Sequence, residues 1–115
     1  MTTINDVQKF LNRFKAKINI LGIIYMDERG KNTQALAELE ITPAYRREVI
    51  DRIEAIDYSE GPIINDRDNR GDLWVFGKDV KGKEVYIKIS FGATDRSPIC
   101  ISFHTPKYPM KYPFK

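Results

Sequence analysis

Four side chains in the second half of the chain have the chemistry needed to handle a phosphate ester. Tyr86 and Lys88 are two residues apart, His104 is the only histidine, and Glu60 precedes all three. Cleavage of a phosphate diester without a metal needs a base for the attacking hydroxyl, an acid for the departing oxygen and a cation beside the phosphorane. An imidazole exchanges protons near neutral pH. His104 is therefore the candidate acid or base and Glu60 its candidate partner, while Lys88 supplies charge and Tyr86 a hydrogen bond.

Alternation of apolar and polar residues predicts the strands that carry these side chains, at residues 72–78, 84–91 and 99–104. In the second strand the apolar face holds Val85, Ile87, Ile89 and Phe91. In the third, Ile99, Ile101 and Phe103 form the apolar face, opposite Cys100, Ser102 and His104. If both apolar faces meet one core, Tyr86, Lys88 and His104 share the other face. Spacings of about 7 Å along a strand and about 5 Å between strands would let them surround a phosphate.

Each of these residues also has a purely structural interpretation, which the sequence leaves open. A single histidine at the end of a strand is often structural, and a tyrosine beside a lysine often packs on the surface. Glu60 is equally interpreted as an ordinary loop carboxylate. The functional interpretation depends on all four side chains meeting at one place.

The C-terminal segment, residues 105–115, interleaves cations with aromatic rings. Its repeated Lys-Tyr-Pro triplets contribute four candidate RNA-binding residues: Lys107, Tyr108, Lys111 and Tyr112. Such an extended, proline-stiffened strip can hold phosphates while bases stack on the rings. The alternative is that the tyrosines and Phe114 lie along the domain and complete its core.

Composition limits the possible classes of protein. The 115 residues form one domain, 1–115, and their 42% apolar and 30% charged content is that of a soluble globular protein. A net charge of +3 permits a polyanionic partner without requiring one. One cysteine excludes an internal disulfide, and no apolar run is long enough for a signal peptide or a membrane span. We therefore expect a cytoplasmic protein.

No metal or cofactor is expected. One cysteine and one histidine are too few for a structural zinc site. A calcium-loop pattern begins at Asp66 and Asp68, but Arg70 replaces one oxygen ligand and Gly77 replaces the bidentate glutamate.

The first half of the chain predicts three helices and one strand. Ile4 to Ile18 have helical spacing, with Thr3 as the N-cap and Lys9, Arg13, Lys15 and Lys17 on the solvent face. Residues 20–26 predict a strand inside the sheet. Asn32 is expected to cap a short helix that runs to Leu39, and Thr42 with Pro43 to open a helix over 44–56.

The predicted fold is α+β: an antiparallel β-sheet of about four to five strands flanked by three helices. Residues 57–71 are expected to form a polar connection, with a brief strand at 62–64. Strand 72–78 is apolar on both sides, which places it inside the sheet with a helix across Trp74. Lys81 and Gly82 are expected to form a hairpin turn.

The chain resembles the MqsR (motility quorum-sensing regulator) family of toxins. The resemblance covers about residues 33–104 and rests on Val-Tyr-Ile-Lys-Ile at 85–89, Ile-Ser-Phe-His at 101–104, Asp57 with Tyr58, and Ala35 with Leu36. These toxins are RelE-like endoribonucleases of type II toxin–antitoxin pairs. The resemblance implies a RelE-like fold, single-stranded mRNA as substrate and a cognate antitoxin protein as partner.

Carried over by position, the family's catalytic tyrosine falls on Tyr86 and its basic residue after Ser-Phe falls on His104. Two positions depart from the family pattern, since Glu60 replaces a lysine and Val75 replaces a glutamine. The resemblance predicts a metal-independent endoribonuclease acting on mRNA. The alternatives are a non-catalytic RNA- or protein-binding module and an inactive toxin homologue.

Overall fold

The computed structural model describes residues 1–27, 30–65 and 71–115. Their helices are α1 (Ile4–Leu21), α2 (Lys31–Leu39) and α3 (Pro43–Asp51), with a 3-10 helix at Ala55–Asp57. Their strands are β1 (Ile24–Tyr25), β2 (Tyr58–Ile63), β3 (Leu73–Val80), β4 (Lys83–Ser90) and β5 (Ile99–His104). The described residues thus form three α-helices and a five-stranded sheet, which confirms the predicted α+β class. Asp66, Asp68 and Arg70 of the calcium-like pattern lie outside the described residues.

The strands are ordered β1-β5-β4-β3-β2 across the sheet. The three pairings among β2, β3, β4 and β5 are antiparallel, whereas β1 pairs with β5 in parallel. The sheet is therefore mixed, and the prediction of an antiparallel sheet was wrong at this edge. β3 lies between β4 and β2, as its two-sided apolar sequence predicted.

Helix α1 begins as its sequence predicts and ends later. The Thr3 hydroxyl accepts a hydrogen bond from the Asp6 amide, and the Asp6 carboxylate accepts one from the Thr3 amide. The helix continues to Leu21 and stops at Gly22, whose φ of 76° favours glycine. The strand predicted over 20–26 was therefore wrong, because the apolar run is divided between the last helical turn and β1. β1 lies at the edge of the sheet and not inside it.

The sequence predicted that Lys17 lies on a solvent face, and this prediction was wrong. It is only 8% exposed, and its ammonium donates hydrogen bonds to the carbonyls of Phe91 at 2.8 Å and Ala93 at 2.6 Å. The same nitrogen lies 4.0 Å from the centroid of the Phe91 ring. Lys17 therefore ties α1 to the connection between β4 and β5.

A β-bulge changes which side chains of β5 face the core. Phe103 is opposite Ile87, on the core side as predicted. Ser102 is opposite Lys88 but Cys100 is opposite Ile89, so Ile101 is an additional residue between these last two pairs. Cys100 is consequently fully buried, whereas Ile101 is partly exposed. The predicted placement of Ile99, Ile101 and Cys100 by simple alternation was wrong.

Asn32 stabilises this bulge and does not cap α2. The N-cap of α2 is Gly30, and Asn32 lies buried in the first turn. Its side-chain amide donates to the carbonyls of Met26 and Ile101, and its carbonyl accepts from the Phe103 amide. The side chain thus continues the pairing of β5 beyond the two residues of β1.

The segment after α2 also differs in part from the prediction. The Thr42 side chain caps α3 and Pro43 opens it, as expected, but α3 ends at Asp51 and not at residue 56. β2 begins at Tyr58 and ends at Ile63, within the predicted polar connection. Glu60 is therefore a strand residue and not a loop residue.

The helices and the apolar sides of the strands enclose one core. Phe10 of α1 stacks on Trp74 with ring centroids 4.5 Å apart, which confirms the helix expected across this tryptophan. The largest fully buried core side chains include Leu11, Phe14, Ile18, Ile50, Ile53, Phe76, Ile87, Ile89 and Phe103. Lys81 and Gly82, with φ of 52° and 84°, form the predicted β3–β4 turn.

Candidate active site

The predicted residues lie in two neighbouring rows on the face of the sheet opposite the core. One row, across β2, β3, β4 and β5, pairs Glu60 with Val75, Val75 with Lys88, and Lys88 with Ser102. We call this side of the sheet the open face.

The second row pairs Gly77 with Tyr86 and Tyr86 with His104. The prediction that Tyr86, Lys88 and His104 share one face is confirmed. The β5 bulge does not disturb this arrangement, because it lies on the Ile101 side of Ser102 and His104.

Tyr86 and His104 form a stacked pair. Their ring centroids are 5.4 Å apart and their planes differ by 14°. The Lys88 ammonium lies 5.8 Å from the centroid of the Tyr86 ring. Phenol, imidazole and ammonium thus form one contiguous group at the centre of the open face.

One ring nitrogen of His104 is engaged in a hydrogen bond to the backbone. Nδ1 lies 3.0 Å from the Thr105 carbonyl oxygen. A carbonyl oxygen only accepts, so this hydrogen bond requires the hydrogen to be on Nδ1. Nε2 is then the nitrogen that can give or take a proton in a reaction.

The Tyr86 hydroxyl is held in its protonated form. Partial burial raises the pKa of Tyr86, and the negative charge of Glu60 raises it further. The phenol is therefore a hydrogen-bond donor at neutral pH and not a base. Its interaction with the Glu60 charge also shows that the carboxylate of β2 lies within electrostatic reach of the β4 tyrosine.

These side chains line a single cleft of about 590 Å³. Its lining includes all four predicted catalytic residues: Glu60, Tyr86, Lys88 and His104. Lys107, Tyr108 and Lys111 of the C-terminal segment also line it, together with Ser59, Ser102, Pro106, Pro109 and Met110. The lining has more lysines than carboxylates, so the cleft favours an anionic ligand.

The C-terminal segment has exposed residues beside the cleft and packed residues towards its end. Tyr108 is 73% exposed, with the Lys107 ammonium 6.0 Å from its ring centroid. Phe114 instead stacks on Tyr58 with centroids 5.3 Å apart, as the packing alternative predicted. Tyr112, a predicted RNA-binding residue, lies over Gly77 and donates a 2.7 Å hydrogen bond to the Glu84 carboxylate.

Sequence reasoning missed Glu84 and Gly77 as parts of the site. Alternation puts Glu84 on the same face as Tyr86, but no local signal shows that its carboxylate binds the C-terminal segment. Gly77 carries no motif at all. Its importance appears only when Tyr112 is placed against it.

The spacing across the sheet suits an in-line displacement at phosphorus. Glu60 and His104 are three strands apart and in different rows, a backbone separation of about 16 Å, with Lys88 and Tyr86 between them. Attacking and leaving oxygens occupy opposite sides of such a phosphorus, so a base and an acid must approach from opposite sides. The arrangement provides a carboxylate on one side, an imidazole on the other and a cation between.

Within the described residues, no three His, Cys, Asp or Glu side chains are grouped so that they could hold a metal ion. None of the described helices is both long and apolar enough to cross a membrane.

Comparison with known proteins gives no relative for this chain. No family model, no curated protein and no solved structure matches it.

Proposed function

We propose that this protein is a metal-independent endoribonuclease that cuts single-stranded mRNA, and that it is the toxin of a toxin–antitoxin pair. The observation that carries the proposal is the meeting of Glu60, Tyr86, Lys88 and His104 in one cleft. These four residues come from three strands, β2, β4 and β5, and each has the chemistry that cleavage of a phosphate ester requires.

In the proposed reaction, Glu60 removes the proton from the 2′-hydroxyl and His104 protonates the departing 5′-oxygen. Nε2 of His104 is the proton donor, because Nδ1 is bonded to the Thr105 carbonyl. Lys88 stabilises the additional negative charge on the phosphorane. The protonated Tyr86 hydroxyl donates a hydrogen bond to a phosphate oxygen, and the products are a 2′,3′-cyclic phosphate and a free 5′-hydroxyl.

The toxin assignment rests on the resemblance to the MqsR family, whose members have a RelE-like fold. An enzyme of this kind acts on mRNA in the cytoplasm and needs a cognate antitoxin to protect the cell. Glu60 occupies a position where the family has lysine. Because this position carries a carboxylate and not an ammonium, the proposed mechanism assigns the base to Glu60 of β2 and the cation to Lys88.

A second candidate function is a non-catalytic RNA-binding module. The stacked Tyr86–His104 pair and the exposed Tyr108 ring favour it, because aromatic faces bind unpaired bases without chemistry. An inactive toxin homologue would bind in the same way. Both differ from the enzyme in one respect, which is that RNA remains intact.

The test is incubation of the purified protein with single-stranded RNA in the presence of a chelator, followed by analysis of the RNA ends. We expect cleavage, with a 2′,3′-cyclic phosphate or its 3′-phosphate hydrolysis product. Intact RNA would favour the binding module. Cleavage lost on chelation and restored by magnesium or manganese would contradict the metal-independent mechanism.

A further inference from the structure

The C-terminal segment crosses the open face and is bound to it through Glu84. The two oxygens of this carboxylate accept separate hydrogen bonds, from the Met110 amide at 3.2 Å and from the Tyr112 hydroxyl at 2.7 Å. Glu84 belongs to β4 and lies two residues before Tyr86, on the same face. One sheet residue beside the proposed catalytic group therefore fixes two residues of the segment.

Gly77 provides the space into which the Tyr112 ring fits. A Cβ atom at position 77 would overlap the Tyr112 hydroxyl and would lie 2.7 Å from Cε1 of the same ring. Gly77 pairs with Tyr86 in regular register within β3, and its φ is not positive. The glycine is therefore needed for the close approach of Tyr112 and not for the backbone conformation.

Burial and the neighbouring carboxylate both act on the anchoring hydroxyl. The pKa of Tyr112 is raised above its ordinary value by burial first and by the hydrogen bond to Glu84 second. The hydroxyl thus remains a donor to Glu84 at all ordinary pH values. Beyond Tyr112, the stacking of Phe114 on Tyr58 fixes the end of the segment.

Between the end of β5 and the Tyr112 anchor, the segment forms one wall of the cleft. Residues 106–111 all line it, and the side chains of Lys107 and Lys111 are exposed there. An ammonium group on a flexible stem binds phosphate best when its backbone is already fixed, because less conformational entropy is lost on binding. The anchored wall brings two such cations to the same cleft as Lys88.

We propose that the C-terminal segment is a phosphate-binding wall of the cleft and that Glu84 is the positioning residue that holds it in place. Lys107 and Lys111 contact phosphates of a single-stranded RNA on either side of the scissile one, and Tyr112 acts as the anchor without touching RNA. That one of the bound phosphates is cleaved rests on the proposed function. The binding of RNA by the segment does not.

The first experiment tests the anchor without using RNA. Trypsin cleaves after Lys107 and Lys111, and mass spectrometry of the released C-terminal peptides measures how often the segment leaves the sheet. We expect Gly77→Ala and Glu84→Ala to speed this cleavage by about tenfold or more, since opening of the segment becomes easier. Glu84→Gln, which retains an acceptor, should lie between them and the parent. In a Tyr112→Ala background, Gly77→Ala should have no further effect, because the ring that it displaces is already gone.

Equal tryptic rates in Gly77→Ala and in the parent would overturn the anchor. Thermal unfolding measured by circular dichroism accompanies each variant, so that release of the segment is distinguished from loss of the fold. Lys83→Ala is the matched control, since it removes an exposed lysine of the same strand at its turn end.

The second experiment measures binding of a fluorescein-labelled single-stranded RNA of mixed sequence at several salt concentrations. Two lost phosphate contacts reduce the slope of log affinity against log salt by about 1.4. We expect this reduction for the double variant Lys107→Ala/Lys111→Ala, and a partial reduction for Gly77→Ala and Glu84→Ala. In cleavage assays the anchor variants should raise KM while kcat changes little, because a released wall weakens binding but leaves Glu60 and His104 in place.

Two results separate this inference from the proposed function. A segment released by Gly77→Ala without any change in affinity or salt slope would overturn the phosphate-binding wall, even in an active nuclease. A parent protein that binds RNA with the expected slopes but cuts none would contradict the proposed function and support the wall.

Discussion

Replacing Tyr86 with phenylalanine removes one hydroxyl group from the centre of the cleft and leaves its surroundings intact. The ring remains, so the stack on His104 at 5.4 Å is retained. Tyr86 is only partly buried. The variant therefore isolates the contribution of the phenol to the reaction.

The size of the effect follows from the role of the hydroxyl as a donor. One hydrogen bond contributes about 0.5–1.5 kcal/mol, and up to about 3 kcal/mol when it is made to a charged oxygen. Converted to rates, kcat/KM should fall by about 2- to 13-fold, and by no more than about 160-fold. The pH profile of Tyr86→Phe should keep the shape of the parent profile, because burial and Glu60 raise the pKa of this phenol and hold it protonated.

The assay is kcat/KM on one single-stranded RNA between mildly acidic and mildly alkaline pH, for the parent and for Tyr86→Phe. A loss far above the upper limit would mean that the phenol transfers a proton and does not merely donate a hydrogen bond. An alkaline limb that is present in the parent and absent from the variant would contradict the raised pKa. Tyr45→Phe, on α3 and outside the cleft lining, is the matched control for loss of a phenol hydroxyl.

Two further predictions concern the fold that positions the cleft. Lys17→Met should lower the free energy of unfolding by about 1–3 kcal/mol in urea titrations, since it leaves two part-buried carbonyl acceptors without their ammonium donor. Lys9→Met, on an exposed part of α1, should change it by about 0.5 kcal/mol or less. A Lys17→Met protein as stable as the Lys9→Met control would contradict the assigned role. Burial raises the pKa of Cys100 to about 12 from an ordinary 9.0, so above pH 9.0 the thiol ionises in the unfolded state alone. Stability should then fall by up to about 1.4 kcal/mol for each pH unit in that window, and Cys100→Val should lack this part of the slope, which identical slopes in both proteins would refute.

Alternation was sufficient to predict the centre of the site. β4 is regular along its length, and each of Tyr86 and Lys88 follows a residue that must be buried. The predicted common face for His104 was correct because Phe103 is also buried, opposite Ile87. A period of two is a local property, and it fixes the face of a side chain wherever the pairing is regular.

The features that sequence reasoning missed depend on contacts between distant residues. The β5 bulge that buries Cys100 is stabilised by Asn32, which is 69 positions from Ile101 in the chain. The apolar run over 20–26 fits a helix end and a strand equally well, and the edge pairing with β5 selects the division between them. The seating of Tyr112 on Gly77 likewise requires the C-terminal segment to return across the sheet.

Glu60 lies in the cleft with the other three candidate residues, but its local structure was predicted wrongly. Its position in the polar connection over residues 57–71 predicted a loop residue. It lies instead in β2, where pairing with Val75 places it in the row that also contains Lys88. The sheet itself, and not a loop, brings the carboxylate to the cleft.

The most direct test of the central claim is single-turnover cleavage and RNA binding measured on the same folded samples of the parent, His104→Ala and the Tyr45→Phe control. If His104 transfers a proton in the transition state, His104→Ala should cut about 10²- to 10⁴-fold more slowly. Its RNA affinity should remain close to that of the parent, because phosphate contacts from lysines supply most of it. His104→Gln serves as the second variant if the alanine protein fails to fold. A folded His104 variant that cuts RNA at the parent rate would contradict the account.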